Sequence, residues 1–191
     1  MSDVLQDSNQ TLDVGSPKGV LPSRGPELVR SKTSAQRQAV ELGYSCEQEL
    51  KNQLAATLKG TDRQFGSLQI ALEFSHPSGR TDIIAQSSEG ELITFETKLL
   101  NWRGAMEQAY RNSSFAHYSY VVLPAAAAKR AATDEFVKRK IGLCSVEGGR
   151  VTIELEAPRQ NPLRPWITEL ALSVFTDLAL YGGASSRSTC C

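Results

Sequence analysis

Three ionisable residues in the middle of the chain have a spacing suited to metal chemistry. Asp82 lies in the apolar segment after Gly79, and Glu96 and Lys98 lie on the next apolar segment. Residues two apart on a strand face the same side, so Glu96 and Lys98 are predicted to share a face. If the two segments are neighbouring strands, Asp82 reaches the same space. Two carboxylates and a backbone carbonyl, here that of Thr97, suit a hard cation such as Mg²⁺.

This set of side chains favours hydrolysis of a phosphodiester bond. A bound cation polarises a phosphodiester oxygen and lowers the pKa of a nearby water. Lys98 would orient or deprotonate that water and stabilise the developing negative charge. The alternative is a solvated charge pattern, because Glu-x-Lys on an exposed strand is usually a cross-strand pair. The apolar surroundings of Glu96 and Lys98 favour the active-site interpretation.

Apolar periodicity predicts the elements that must position these residues. Alternating apolar residues predict a three-strand meander, with strands over 66–74, 80–86 and 91–100. A helix is predicted from Asn101 to about Asn112, and a buried strand over 119–124 follows it. A strand, a helix and another strand in this order favour a right-handed parallel crossover.

The remaining segments predict helices that cover a mixed sheet. Helices are predicted over 34–59, 125–140 and 165–181, and a hairpin over 141–155. The first helix is expected to break near Gly43, with Ser45 as the N-cap of its second half. The sum is an α/β domain over 34–181. Residues 1–33 predict a disordered leader and residues 182–191 a flexible tail.

Composition narrows the class of protein. The 191 residues suit one domain, and 21 basic against 21 acidic residues give no overall attraction to nucleic acid. The sequence has no apolar run of the ~20 residues that span a bilayer, and no secretion signal is recognisable. Its four cysteines show no metal-ligand spacing. A cytoplasmic protein without membrane contact is therefore expected.

Thr81-Asp82 followed by Glu96-Thr97-Lys98 resembles the active-site signature of the PD-(D/E)xK nuclease superfamily. The resemblance covers roughly residues 45–124, and Thr81 stands where the signature has proline. It implies a restriction-endonuclease-like fold, which is a mixed β-sheet flanked by helices. It also implies an endo- or exonuclease that uses Mg²⁺ or Mn²⁺, held by the residues that match its metal ligands: Asp82, Glu96, the backbone carbonyl of Thr97, and Glu47.

The resemblance assigns roles to further residues. Lys98 would serve the attacking water, and Gln108 would contact water or phosphate; a surface glutamine with no catalytic task is the alternative. Glu47 shares a helix stripe with leucines, which favours an inward carboxylate, whereas the alternative is a first-turn acid favoured by the helix dipole. The residues predicted to bind nucleic acid are Arg80, Arg103, Tyr110 and Arg111.

Three functions remain open on the sequence. The first is a metal-dependent nuclease, with DNA favoured over RNA. The second is a catalytically silent protein of the same fold that binds nucleic acid or regulates. The third is an immunity or assembly factor that binds a protein partner. The apolar helix over 165–181 would serve the core or the seam of a homodimer.

Overall fold

Six strands form one mixed β-sheet in the computed structural model, which describes residues 43–60 and 64–181. Five helices accompany the sheet in these ranges. In chain order the elements are α1 (Glu47–Lys59), β1 (Leu68–His76), β2 (Gly79–Ser87), β3 (Leu92–Thr97), α2 (Trp102–Asn112), β4 (Tyr118–Pro124), α3 (Ala125–Ala128), α4 (Thr133–Arg139), β5 (Gly142–Glu147), β6 (Arg150–Leu155) and α5 (Pro165–Tyr181).

The strands lie in the sheet in the same order as in the chain, from β1 to β6. Strands β1, β2 and β3 pair antiparallel, as do β5 and β6, whereas β4 is parallel to both β3 and β5. The predicted meander, the parallel crossover through α2 and the final hairpin are therefore confirmed. The predicted α/β class, a mixed sheet flanked by helices, is confirmed as well.

Each face of the sheet is covered by helices. Leu50 and Leu54 of α1 are fully buried on one face, in a cluster that includes Phe95 of β3. On the other face, α2 packs through Met106 over β4 and β5. Helix α5 packs on that second face too, through Ile167, Ala171 and Phe175, against residues of β1, β2 and β3. All six residues of β3 are buried because the strand is covered on both sides.

The ladder between β1 and β2 is interrupted at one residue. Leu72 pairs with Ile83 and Phe74 pairs with Thr81, but Glu73 between them is unpaired and has a φ of 56°. This left-handed conformation is uncommon for a residue with a side chain. Lys51 of α1 places its Nζ 2.5 Å from Glu73 Oε1, so the interrupted position is also where α1 contacts β1.

The start of α1 differs from the prediction. Cys46, not Ser45, is the N-cap, and its side chain makes no capping hydrogen bond. The backbone N–H and the hydroxyl of Ser45 instead donate to Glu49 Oε2, each at 2.7 Å. The Glu49 carboxylate in the first turn thus accepts hydrogen bonds from Ser45, the residue that was expected to cap the helix. The predicted helical segment 34–42, the leader over 1–33 and the tail over 182–191 lie outside the described residues.

The single helix predicted over 125–140 is wrong. The chain forms α3 and α4, separated at Lys129–Ala132. The break redirects the chain so that Phe136 is fully buried, with its ring centroid 5.7 Å from that of Trp102. Lys140 then ends α4 in the left-handed region, with a φ of 59°. Across the described helices, we find none with both the length and the apolar character needed to cross a membrane.

Candidate functional site

Asp82 and Glu96 lie across from each other on β2 and β3. The register pairs Ile83 with Phe95, so the next residues along the two strands are Asp82 and Glu96. The side chain of Glu96 points to the face covered by α2, because Asn112 Nδ2 donates a 2.6 Å hydrogen bond to Glu96 Oε1. The structure therefore brings together the two carboxylates that the sequence predicted would meet.

The carboxyl group of Glu96 is buried beside a second acid. The residue is 1% exposed. Burial, and then the charge of Asp82, raise the pKa of Glu96 to about 8. The hydrogen bond from Asn112 and the positive charge of Lys98 act in the opposite direction but do not outweigh them. Glu96 therefore holds a proton at neutral pH unless a cation takes its place.

Asp82 is fixed by the residue that follows Glu96. Its Oδ2 accepts hydrogen bonds from the backbone N–H of Thr97 at 2.9 Å and from the Thr97 hydroxyl at 2.8 Å. Both donors bind the same oxygen, so Oδ1 takes part in neither bond. Thr97 itself is buried. These contacts hold the Asp82 carboxylate at the end of β3.

Lys98 forms an ion pair with α1. The prediction that Lys98 shares a face with Glu96 is wrong: β3 ends at Thr97, and Lys98 contacts α1 whereas Glu96 contacts α2. Its Nζ lies 2.7 Å from Glu47 Oε2, with the side chains 25% and 48% exposed, respectively. Glu47 lies in the first turn of α1 and is exposed. It is not the inward carboxylate that its position on the leucine stripe favoured. Helix α1 thereby brings a carboxylate to the lysine.

Gln108 carries an acceptor that has no partner. In the part of the chain that the structure describes, Gln108 Oε1 is buried and accepts no hydrogen bond. Gln108 precedes Asn112 by four residues on α2, so the two side chains share one side of the helix. Asn112 bonds Glu96 on that side. An unsatisfied buried acceptor costs about 1–3 kcal/mol, so a donor or a cation at this position would stabilise it.

The donor set fits Mg²⁺ or Mn²⁺ by its chemistry. Within residues 43–60 and 64–181, no group of three or more His, Cys, Asp and Glu side chains is arranged to hold a metal. Asp82 and Glu96 form a pair, and Glu47 is bonded to Lys98. The backbone carbonyl of Thr97 is the remaining predicted ligand. All are oxygen donors, and Mg²⁺ commonly uses one or two carboxylates while keeping several waters.

Two of the arginines predicted to bind nucleic acid lie in ion pairs on the surface. Arg80 Nη1 lies 3.7 Å from Glu73 Oε2, and the Arg80 side chain is largely exposed. Arg103 lies 3.3 Å from Glu135 Oε1, and its guanidinium sits 4.1 Å from the ring centroid of Trp102. Exposed ion pairs of this kind are weak, so they leave both arginines able to exchange partners.

Tyr110 and Arg111 line a cleft that the sequence did not predict as a unit. The cleft has a volume of about 600 Å³, and its other basic residues are Lys140, Arg159 and Arg164. Arg159 and Arg164 lie in the irregular segment between β6 and α5, where no periodicity marks them. Asn112 was also missed, although its spacing of four residues from Gln108 was a usable signal.

No protein-family model matches the chain, and no curated protein matches it. Among solved structures, it is similar to SPO1766, a protein of unknown function from Silicibacter pomeroyi, with 13% identity and a TM-score of 0.47 over 68% of this chain and 89% of that one. It is also similar to Pyrococcus furiosus SfsA in complex with Ca²⁺, with 14% identity and a TM-score of 0.28 over 64% and 65% of the two chains. Similarity this weak assigns neither a family nor an activity to the chain.

Proposed function

We propose that this protein is a metal-dependent nuclease that hydrolyses phosphodiester bonds, with DNA as the favoured substrate. The observation that carries the proposal is the pairing of partly buried Asp82 with buried Glu96 on adjacent strands, with Lys98 two residues after Glu96. A buried carboxylate beside a second acid destabilises a protein unless a proton or a cation compensates its charge. Two carboxylates beside a lysine are the groups that a cation site for phosphate chemistry would use.

Asp82, Glu96 and the backbone carbonyl of Thr97 would hold Mg²⁺ or Mn²⁺. When bound, the cation supplies positive charge at the phosphate and lowers the pKa of a nearby water. The protein contributes the fixed positions of the ligands. Thr97 orients Asp82 through two hydrogen bonds, and Asn112 orients Glu96 through one.

Lys98 would act on the attacking water and on the charge that develops on phosphate. Its ammonium lies close enough to Glu96 to favour the ionised carboxylate, and Glu47 holds it from the other side at 2.7 Å. An ammonium group that is already in place before the reaction stabilises the developing negative charge without having to reorganise. Glu47 would therefore be a positioning residue for Lys98, which is a different role from a metal ligand.

The buried Oε1 of Gln108, which has no hydrogen-bond partner among the described residues, would accept a hydrogen bond from a water. A water hydrogen-bonded to this oxygen would lie on the same side of α2 as Asn112 and Glu96. A glutamine carbonyl accepts a hydrogen bond from water and thereby helps to orient it. Gln108 would thus bind water on the side of α2 that faces the carboxylate pair.

Cleavage assays with labelled DNA and RNA in Mg²⁺ test the proposal. Single-stranded, duplex and branched substrates should be compared for the wild type, Asp82→Asn and Lys98→Ala. We expect Lys98→Ala to lose at least about 100-fold in rate, the usual loss for a group that handles protons in the reaction. Asp82→Asn should also lose activity, because it removes a carboxylate ligand of the metal. Glu89→Gln, in the exposed turn between β2 and β3, and Lys138→Ala, on the surface of α4, are matched controls that should cleave normally.

Equal activity in the wild type and Lys98→Ala would reject the mechanism. Metal-independent binding of nucleic acid with no cleavage would support a catalytically silent binding protein. Purification with a stoichiometric protein partner, and no binding of nucleic acid, would support an assembly or immunity factor.

A further inference from the structure

The cleft beside Tyr110 has a strongly one-sided charge. Its lining includes four basic residues, Arg111, Lys140, Arg159 and Arg164, and no acidic residue. The whole sequence has equal numbers of basic and acidic residues, 21 of each. A local excess of positive charge in a concave site attracts anions far more than its surroundings do.

The four cations are not equally available. Arg159 Nε donates to Glu91 Oε1, and Arg164 Nη1 donates to Ser78 Oγ at 2.7 Å. In the described ranges, Arg111 and Lys140 have no carboxylate within ion-pair distance. Arg111 and Lys140 are therefore the side chains that would gain most from an anion in the cleft.

The same chain segments build both the cleft and the carboxylate pair. Helix α2 carries Arg111 to the cleft and the next residue, Asn112, to Glu96. The turn that opens β2 carries Ser78 to the cleft, and Asp82 follows four residues later on the strand. A strand of substrate held in the cleft would therefore lie against the elements that present the predicted metal ligands.

The lining also offers surface for a base. Tyr110 is 50% exposed and Leu163 is 84% exposed, and both line the cleft with the basic residues. The guanidinium carbon of Arg139 lies 5.4 Å from the ring centroid of Tyr110. A basic groove with an exposed aromatic ring is the combination by which proteins hold an unpaired strand, because phosphates contact the cations while a base stacks on the ring.

We infer that this cleft binds the sugar-phosphate backbone of a single-stranded nucleic acid, with a base against Tyr110. The inference rests on the proposed nuclease function in one respect, since it names the class of substrate delivered to that site. Arg111 and Lys140 contact phosphates, and Arg164, held by Ser78, borders the path of the strand.

Fluorescence anisotropy with a labelled oligodeoxythymidylate in EDTA tests the binding without any metal. The test variant is Arg111→Ala combined with Lys140→Asn, because asparagine tolerates the left-handed backbone of position 140. We expect affinity to fall at least about tenfold, and the slope of log affinity against log salt to fall by about 1.4, which is two phosphate contacts on a single strand. Tyr110→Ala should weaken binding about fivefold or more while Tyr110→Phe retains it.

The matched control replaces two basic residues of another cleft, as Lys129→Ala combined with Arg150→Ala. That cleft also contains Glu147 and Glu154, so its charges are balanced. An unchanged affinity and salt slope in the Arg111 and Lys140 variant, or an equal loss in the control, would overturn the inference. Duplex DNA bound as tightly as the single strand through the same residues would overturn the assignment to an unpaired strand.

Binding and cleavage fail separately in these experiments. If the wild type binds the oligonucleotide through Arg111 and Lys140 but cleaves nothing in Mg²⁺, the cleft stands and the nuclease proposal falls. If cleavage depends on Asp82 and Lys98 while the cleft variant binds and cleaves normally, the nuclease stands and the cleft assignment falls.

Discussion

The burial of Glu96 makes the stability of the protein depend on pH. The pKa of Glu96 is raised from its ordinary 4.5 to about 8 in the folded protein. Between these values the folded protein retains a proton that the unfolded chain releases. Because the folded state binds more protons, the free energy of unfolding falls as pH rises through this window.

Glu96→Gln should remove that dependence, because glutamine keeps the size of the side chain and does not titrate. In EDTA, the stability of the variant relative to the wild type should rise by at least about 1.4 kcal/mol from pH 5 to pH 8, the equivalent of one pKa unit. Urea unfolding at several pH values measures it. Glu89→Gln, on the exposed turn, should give a profile parallel to the wild type. A parallel profile for Glu96→Gln would contradict the buried acid.

Glu47 and Lys98 should be coupled in catalysis if Glu47 positions the lysine. Glu47→Gln should lower kcat by about 10-fold or less, because Lys98 remains, while Lys98→Ala should lower it by at least about 100-fold. The double variant should be no worse than Lys98→Ala, since the two residues act as one unit. Losses that multiply would instead indicate that Glu47 acts independently, for example on the metal.

At the level of elements, periodicity was the informative signal. The strands from β1 to β4, the helix α2 and the last hairpin were predicted because their apolar residues repeat with the period of the element. The break between α3 and α4 was not, because alanine-rich sequence favours a continuous helix, whereas the folded chain breaks there and buries Phe136. The prediction also made β3 too long, over 91–100, because the strand stops at Thr97.

The start of β5 depends on a glycine at a point of close approach. A Cβ at Gly142 would lie 2.3 Å from two ring carbons of Tyr120 and 2.9 Å from the backbone nitrogen of Ala157. The ring cannot easily move, because it stacks on Phe95 at 5.6 Å and its hydroxyl accepts a hydrogen bond from that nitrogen.

Gly142→Ala should therefore destabilise the protein by about 1–3 kcal/mol, the usual cost of overpacking. Thermal or urea unfolding gives the value. The test of the cause is a second comparison in a Tyr120→Ala background, where the ring is gone and the cost of Gly142→Ala should shrink. An undiminished cost there would assign the effect to the contact with Ala157.

At the level of the whole molecule, metal binding and proton release should be linked. A cation bound by Asp82 and Glu96 must displace the proton that Glu96 holds below a pH of about 8. The increase in melting temperature caused by Mg²⁺ or Mn²⁺ should therefore be larger at pH 8 than at pH 6. Differential scanning fluorimetry measures the shift. A shift of equal size at both pH values, or one retained in Asp82→Asn, would place the metal elsewhere.

The sequence predicted the centre of the candidate site better than its surroundings. Asp82 and Glu96 were expected to meet because two adjacent strands with a fixed alternation leave little freedom. Glu47 and Lys98 meet through the docking of α1, which no local pattern encodes. The cleft cations come from α2, from the end of α4 and from an irregular segment, so only the folded chain brings them together.

The interruption of the ladder at Glu73 affects whether strand β1 can pair with a strand of another molecule. Strand β1 is the outermost strand on its side of the described sheet, and a long regular border strand invites another copy to add to it. The left-handed residue near the middle of these nine residues breaks the row of backbone groups into two short stretches. An incoming strand would find no continuous template along β1, which disfavours edge-to-edge pairing of separate molecules at this border.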